Sequence, residues 1–343
     1  MKRLAVFILL FSAPAAKAGP AGDAMPFLKV DAGARGAAMS GAYSALGDDA
    51  LSVFYNPAGT ALLDRKELLL GHTEWLDGIR NELLAYAQPL GPGLTAFAGV
   101  NALLSGSMAR YDAAGVPDGS FSALEAAVSA GVSADLGDGF YGAAALKELS
   151  QQAAGYKASA FAADAGLLKR LGSWSIGAAA ANYGSRLKLG SAGFDLPHIL
   201  RGGVAYTYLD NYTLAAEAVK AGSSDATAAV GVEAKLNTGP GEYFFLRTGY
   251  KTGRSSYAGS GVTAGAGVSG GAFRLDYAYA PYGELGDTHR VTLSVRFGAE
   301  RPAELSRSTY YRLPPPRSKP ERSSGNVKKK GERPQPGEVY FMW

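Results

Sequence analysis

Between Lys66 and Phe297 the chain alternates apolar and polar residues in short runs, cut by turn residues at nearly regular intervals. The run Arg290-Val291-Thr292-Leu293-Ser294-Val295-Arg296-Phe297 shows it most cleanly. Val291, Leu293, Val295 and Phe297 share one side, and Arg290, Thr292, Ser294 and Arg296 share the other. A strand repeats every two residues, so each run has one apolar and one polar face. Such runs stand at 66–75, 80–89, 93–104, 122–135, 139–149, 157–170, 173–184, 198–208, 212–221, 226–236, 242–252, 260–269, 272–281 and 288–297. Most have the length a tilted strand needs to cross the hydrocarbon, and none is apolar enough for a membrane helix. The pattern predicts an all-β fold: a transmembrane antiparallel β-barrel of about 14 strands.

The connections give a second line of argument. Every even-numbered run leaves through residues that tolerate sharp turns: Gly91-Pro92, Gly137-Asp138, Gly172, Asp210-Asn211, Asn237 to Gly241, and Gly270-Gly271. Most odd-numbered runs leave through longer loops, notably 105–121 and 185–197. Short turns on one side and long loops on the other is the asymmetry of bacterial outer-membrane barrels, with the long loops outside the cell. An even strand count then puts both termini in the periplasm. Trp75, Trp174 and several tyrosines, Tyr141 among them, fall at strand ends, where an amphipathic ring suits the lipid–water interface.

Outside the alternating region the chain changes character. Met1-Lys2-Arg3, the apolar run Leu4 to Phe11 and Ala16-Lys17-Ala18 predict a signal peptide, residues 1–18, cleaved after Ala18. Residues 19–65 are Gly/Ala-rich and alternate poorly. Within them Ala37 to Ala45 reads as a short helix or an irregular loop, Asp48-Asp49 as a helix cap, and Asn56-Pro57 as a turn start. Residues 66–298 form the barrel. Residues 299–343 are Pro-rich and basic and predict a disordered periplasmic tail. The tail ends in the apolar Val339-Tyr340-Phe341-Met342-Trp343, a tip suited either to plain tethering or to adding a strand to a partner's edge.

Charge sharpens this picture. The net charge of +4 misleads, because residues 1–18 carry three positive charges and no acid, and residues 300–343 carry ten Lys/Arg against five Asp/Glu. The remainder is acidic by four charges, so no nucleic-acid surface is indicated. Arg201, Glu217, Glu233, Lys235, Arg247, Lys251, Arg274, Asp276, Arg290 and Arg296 all fall on the inward parity. On the lipid face such charges cost about 2–4 kcal/mol each at mid-membrane. Both signs occur together, which predicts a lumen filled by mutual pairing and by segment 19–65 rather than a wide ion pore.

Catalytic signals are lacking. There is no cysteine, hence no disulfide and no thiol nucleophile. Gly267-Val268-Ser269-Gly270-Gly271 and Gly265 to Gly270 formally match a nucleophile elbow and a dinucleotide loop. Both motifs need a strand-to-helix turn, and here they sit in a Gly-rich strand. His72, His198 and His289 lack metal-ligand spacing. The expectation is a non-enzyme without metal or cofactor.

Three stretches together resemble the PorV/PorQ family, within the wider FadL-like group of outer-membrane barrels. They are Gly33-Ala34-Arg35-Gly36-Ala37-Ala38-Met39-Ser40-Gly41-Ala42 with Asp48-Asp49 and Phe54-Tyr55-Asn56-Pro57-Ala58-Gly59; His72-x-x-Trp75 with Ile79-Arg80-Asn81-Glu82; and Tyr279 to Arg290. Ser40 stands where the family usually has glycine, Phe54-Tyr55 where Tyr-Trp is common, and the Pro-rich tail is not part of the pattern. The resemblance implies that residues 19–65 are a hatch inside the lumen, with Gly33, Arg35, Met39, Gly41, Asp48, Asp49, Asn56, Pro57 and Gly59 as its motif. For Asn56 to Gly59 the alternatives are a gating element and a plain turn. For Arg35 they are an ion pair with Glu233 or Asp276 and a solvated loop arginine.

The resemblance also implies two roles. One is a type IX secretion or surface-attachment component, whose long loops bind cargo or translocon proteins. The other is a FadL-like transporter of long-chain fatty acids or other hydrophobic molecules, which needs an apolar pocket and a kink or gap in one strand. The inward charges favour the first; the Gly/Ala-rich stretches 142–145 and 177–181 leave room for the second. A purely structural barrel is the third reading. Membrane lipid is a partner in all three.

Overall fold

The computed structural model describes residues 22–301 except 190 and 255–257. The predicted signal peptide and most of the predicted tail lie outside the described residues. The strands in chain order are β1 (Lys66–Glu74), β2 (Arg80–Gly91), β3 (Leu94–Leu104), β4 (Met108–Tyr111), β5 (Pro117–Phe121) and β6 (Ala123–Gly137). They continue as β7 (Phe140–Ala153), β8 (Tyr156–Leu171), β9 (Trp174–Gly184), β10 (Leu187–Leu189), β11 (Ala192–Phe194) and β12 (Ile199–Tyr208). The last are β13 (Tyr212–Ala221), β14 (Thr227–Gly239), β15 (Glu242–Lys251), β16 (Val262–Gly270), β17 (Phe273–Pro281) and β18 (Asp287–Phe297). Fourteen of them close into one antiparallel barrel, with β1 paired to β18 as well as to β2. The pairs β4–β5 and β10–β11 are separate hairpins inside the two long loops.

Each wall strand has two chemically distinct faces. On β8, Ala160, Ala162, Asp164 and Leu168 are buried, while Phe161 and Leu167 between them are 66% and 58% exposed. Leu146 on β7 and Val128 on β6 likewise point outward. A continuous apolar skin of this kind is stable against acyl chains and unstable against water. Among the described residues no helix is long and apolar enough to cross a membrane.

The lumen is occupied by the chain's own N-terminal part. It carries helix α1 (Ala34–Ala38) and 3-10 turns at Pro26–Lys29, Ala50–Phe54 and Pro57–Leu62. Met39, Tyr43, Leu46, Leu51, Val53 and Tyr55 form one buried cluster with the wall residues Leu69, Leu83 and Phe97. Small wall residues permit the close approach. A Cβ on Gly177 would lie 2.0 Å from the Ser44 carbonyl oxygen, and one on Gly249 would lie 2.5 Å from the Met39 carbonyl carbon.

Of the two readings of Ala37 to Ala45 the irregular loop holds: helix α1 ends at Ala38, and residues 39–46 run on irregularly through turns at 39–41 and 44–46. Other local expectations need correction. Asp49 precedes the 3-10 turn Ala50–Phe54 but makes no side-chain cap there, because Arg35 and Tyr43 claim its carboxylate. Tyr141 is 2% exposed and packs inward against Ala58, Ala61 and Leu168, as its odd parity on β7 dictates. Trp75 covers Arg290 at the loop rim instead of facing lipid.

The two described ends lie at opposite rims. At the long-loop rim Ala24 N donates to Asp195 O (2.9 Å) and Ser223 N to Asp23 Oδ2 (3.1 Å). At the turn rim Arg301 N donates to Asp64 O (2.6 Å). Counting strands placed both ends on one side. That count leaves out the N-terminal segment, which traverses the lumen before β1 begins.

Candidate functional site

Arg35 projects from α1 into the wall and organises the lumen. Its guanidinium grips Glu233 on β14 through two parallel bonds, Nε to Oε2 (2.8 Å) and Nη2 to Oε1 (2.7 Å). It also bonds Asp49 Oδ2 (2.9 Å), the Tyr43 hydroxyl (3.1 Å) and the Asp48 carboxylate. Burial works against a charged Arg35, but Asp48 and Glu233 outweigh it and hold the group protonated. The network continues along the wall. Glu233 Oε2 accepts from Arg247 Nε (2.6 Å), Arg247 Nη1 lies 2.9 Å from Asp276 Oδ1, and Asp276 Oδ2 accepts from Arg274 Nε (2.9 Å).

The other inward charges are placed as follows. Glu217 accepts the backbone N–H groups of Tyr43 and Ser44 (2.8 and 2.7 Å) and pairs with Arg201 (3.1 Å). Arg290 is 1% exposed and donates to Thr288 Oγ1 (3.1 Å). Arg296 donates to Glu67 Oε2 (2.8 Å) and to Asp48 O (2.7 Å). Lys235 stands nearer the mouth, its ammonium 4.0 Å from the Tyr243 ring centroid. Below this lattice a polar vestibule of about 420 Å3 reaches the turn rim past Asp210, Asn211 and Arg274. Most of the inward charges are paired with the opposite sign, which is unlike a wide pore lined by one sign of charge.

The remaining motif residues shape the segment itself. Gly33 and Gly41 adopt positive φ (61° and 84°), and a side chain on Gly41 would strike Asp31. Met39 lies against Gly231 and Gly249. Ser40 also has positive φ (53°), at the place where the resembled family has glycine. Its hydroxyl is anchored to Thr263 Oγ1 (2.8 Å). Asn56 Nδ2 donates to Ser44 O (2.7 Å) and to the wall at Leu167 O (2.9 Å), while Oδ1 caps the turn at Ala58 N. Pro57 opens that turn, and Gly59 meets Gly47 backbone to backbone.

Asp31 ties the segment to Lys251 on β15 (2.5 Å). Burial would raise its pKa, but Lys251, Arg201 and Arg290 hold it below the ordinary aspartate value. A carboxylate depressed in the folded state stabilises fully above its unfolded pKa and loses that contribution as pH falls through the folded one. Proteolytic protection of residues 24–31 is therefore expected to be flat from pH 7 to about 4 and to fall only below that. Loss of protection already at pH 6 would contradict the pairing.

The alternation of apolar and polar residues does not record one feature of the wall. The β8–β9 register passes from Ala163↔Tyr183 to Ala165↔Ala180, so two residues of β9 oppose Asp164. This β-bulge is held by side chains. Asn182, at φ 64°, donates its N–H to Asp164 Oδ1 (2.8 Å), and Lys147 Nζ bridges Asp164 Oδ2 (2.7 Å) and Asn182 Oδ1 (2.8 Å). Bulges locally break the ladder. Inside the wall, Ala181, Asn182, Ile199 and Arg201 line a small pocket of about 40 Å3 with Val53 and Tyr55. Outside it, Ala165, Leu167, Ala178, Ala180, Gly202 and Ala218 line an apolar depression of about 540 Å3. The visible signal was Asn182, the lone amide closing an alanine run.

Residues 15–98 match the model of an uncharacterised protein family, UPF0164. No curated protein matches the chain. Among solved structures the chain is similar to the Ralstonia pickettii toluene transporter TbuX, with TM-score 0.58 and 13% identity over 78% of this chain and 98% of that one. It is similar to the CymD monoaromatic hydrocarbon channel, with TM-score 0.59 and 12% identity over 78% and 98%. A Pseudomonas aeruginosa FadL homologue gives TM-score 0.50 and 12% identity over 78% and 100%. At this level of identity the likeness is one of fold: a closed, 14-stranded barrel of the FadL type.

Proposed function

We propose that this chain is a bacterial outer-membrane conduit for small hydrophobic molecules, with residues 19–65 acting as its hatch. The observation that carries this reading is the bulge opposite Asp164. It is the place where a break in the wall ladder separates an apolar outer depression from a pocket within the lumen. The paired lumen supports the same reading, since it offers an ion no path while an apolar solute needs only the wall. The chemistry named for the similar barrels, toluene and monoaromatic hydrocarbons, fits an Ala- and Leu-lined depression.

The test is Gly202→Trp. A Cβ at Gly202 meets nothing within 4 Å, so the substitution fills the outer depression without straining the wall. Uptake of a monoaromatic hydrocarbon or a long-chain fatty acid into proteoliposomes is expected to drop about tenfold, the equivalent of 1.4 kcal/mol. Equal uptake by both proteins would refute the route.

A second reading, a type IX secretion component resembling PorV, is favoured by the β4–β5 hairpin. Met108, Tyr111 and Val116 are exposed there beyond the wall, as a protein-binding loop requires. Recovery of a translocon partner in mild detergent, lost when 105–121 is shortened, supports it; recovery of no protein removes it.

A further inference from the structure

The apolar skin of this barrel is uneven in height. On β8 the outward residues Phe161, Ala163, Ala165 and Leu167 lie between Ser159 and Lys169. Ten residues at about 3.3 Å, tilted by about 40°, rise roughly 25 Å, the usual height of the lipid-facing band. On β1 only Leu68 and Leu70 separate the outward Lys66 from the outward His72. Six residues rise only about 15 Å by the same geometry. The neighbouring strand repeats the defect in register, since His72 is opposite Glu82 and outward Gln88 closes the other end of the Leu84–Tyr86 pair. A short hydrophobic span is relieved by thinning the bilayer or by oligomerising.

The polar residues that cut the band short carry both signs. His72 Nδ1 lies 2.9 Å from Glu82 Oε1, and His72 Nε2 lies 3.5 Å from Glu74 Oε1. Arg80, the register partner of Glu74, is exposed and makes no ion pair or side-chain hydrogen bond to the described residues. Beside this cluster an apolar depression of about 440 Å3 is walled by Leu70, Leu84, Val100, Ala102, Val291 and Leu293. A two-fold axis along the membrane normal keeps every residue at its own depth. It therefore brings the free Arg80 of one copy to the acidic pair Glu74/Glu82 of the other and sets thin band against thin band.

We propose that the outward face of β1 and β2 is the interface of a homodimer in the membrane. The occupant is a second copy, because the surface is self-complementary in charge and the same defect in height is covered on both sides at once.

The chain has no cysteine, so single thiols report contacts cleanly. Leu70→Cys should give a disulfide-linked species of twice the monomer mass in native outer membranes treated with a mild oxidant. Leu214→Cys, on the outward face of β13, should remain monomeric under the same conditions. Adding Arg80→Glu to Leu70→Cys should reduce the cross-linked fraction at least fivefold, while heat-modifiable migration shows the barrel folded. Three results would overturn the proposal: no dimer from Leu70→Cys, equal dimer from both single-thiol variants, or a Leu70→Cys adduct of a different mass that marks a foreign partner.

Discussion

Arg35→Ala is expected to cost about 3–5 kcal/mol of barrel stability, read as a fall in the denaturant midpoint of heat-modifiable migration. The substitution removes the fork that joins α1 to Glu233 and leaves Asp49 with no cation. Both acids stay buried, at 5% exposure each, so water cannot replace the lost partner. Glu233 keeps Arg247, which limits the loss to one side of the network. Arg35→Lys should recover only part of it, because an ammonium supplies charge without the two parallel donors. A midpoint unchanged to within about 0.5 kcal/mol would mean that the hatch is not held at this residue.

Gly177→Val should displace the N-terminal segment from a wall that otherwise still forms. Even the first added carbon would sit 2.0 Å from the Ser44 carbonyl oxygen and 2.5 Å from its carbon. Backbone met on both sides cannot give by a rotamer change, so the cost exceeds the roughly 1–3 kcal/mol of ordinary overpacking. The strand ladders and the oily exterior do not pass through this contact. Trypsin should then cut at Arg35, which is 4% exposed and shielded in the unmodified protein. Gly202→Val, a neighbouring wall glycine with open space at its Cβ, should stay resistant. Equal resistance of both variants would show that the segment does not press against the wall.

The wall strands and the inward face were legible in the sequence because both follow from a period of two. Arg290 and Arg296 could be assigned to the lumen from Val291 to Phe297 alone, and the side chains of both make their contacts there. Arg35 was readable as one of two cases, and its bonds to Glu233 select the paired one. The hairpins β4–β5 and β10–β11 were not legible. Every residue of β4 is exposed, and β10 spans only three residues with Leu187 buried, too short for an alternation to record either. The bulge at Asn182 was hidden for a related reason. In an alanine run both faces look alike, so Asn182 marks the end of the run without revealing the extra residue. The path of residues 22–63 depends on contacts such as Asn56 to Leu167 and Ala34 to Thr292, 111 and 258 positions away, which local patterns do not encode.

On the proposed role, an apolar solute would pass through the wall while the paired lumen holds ions back. The lumen is filled by a segment whose charges are answered in place, and the register shift at Asp164 lies mid-strand, whereas those at Pro89/Gly91, Asp135/Gly137 and Asn237/Gly239 lie at the tight turns. Planar-bilayer recording of the unmodified protein tests this most directly. The account predicts membranes that stay electrically silent after insertion, at either polarity. Stable stepwise ion conductance through the unmodified barrel would contradict it.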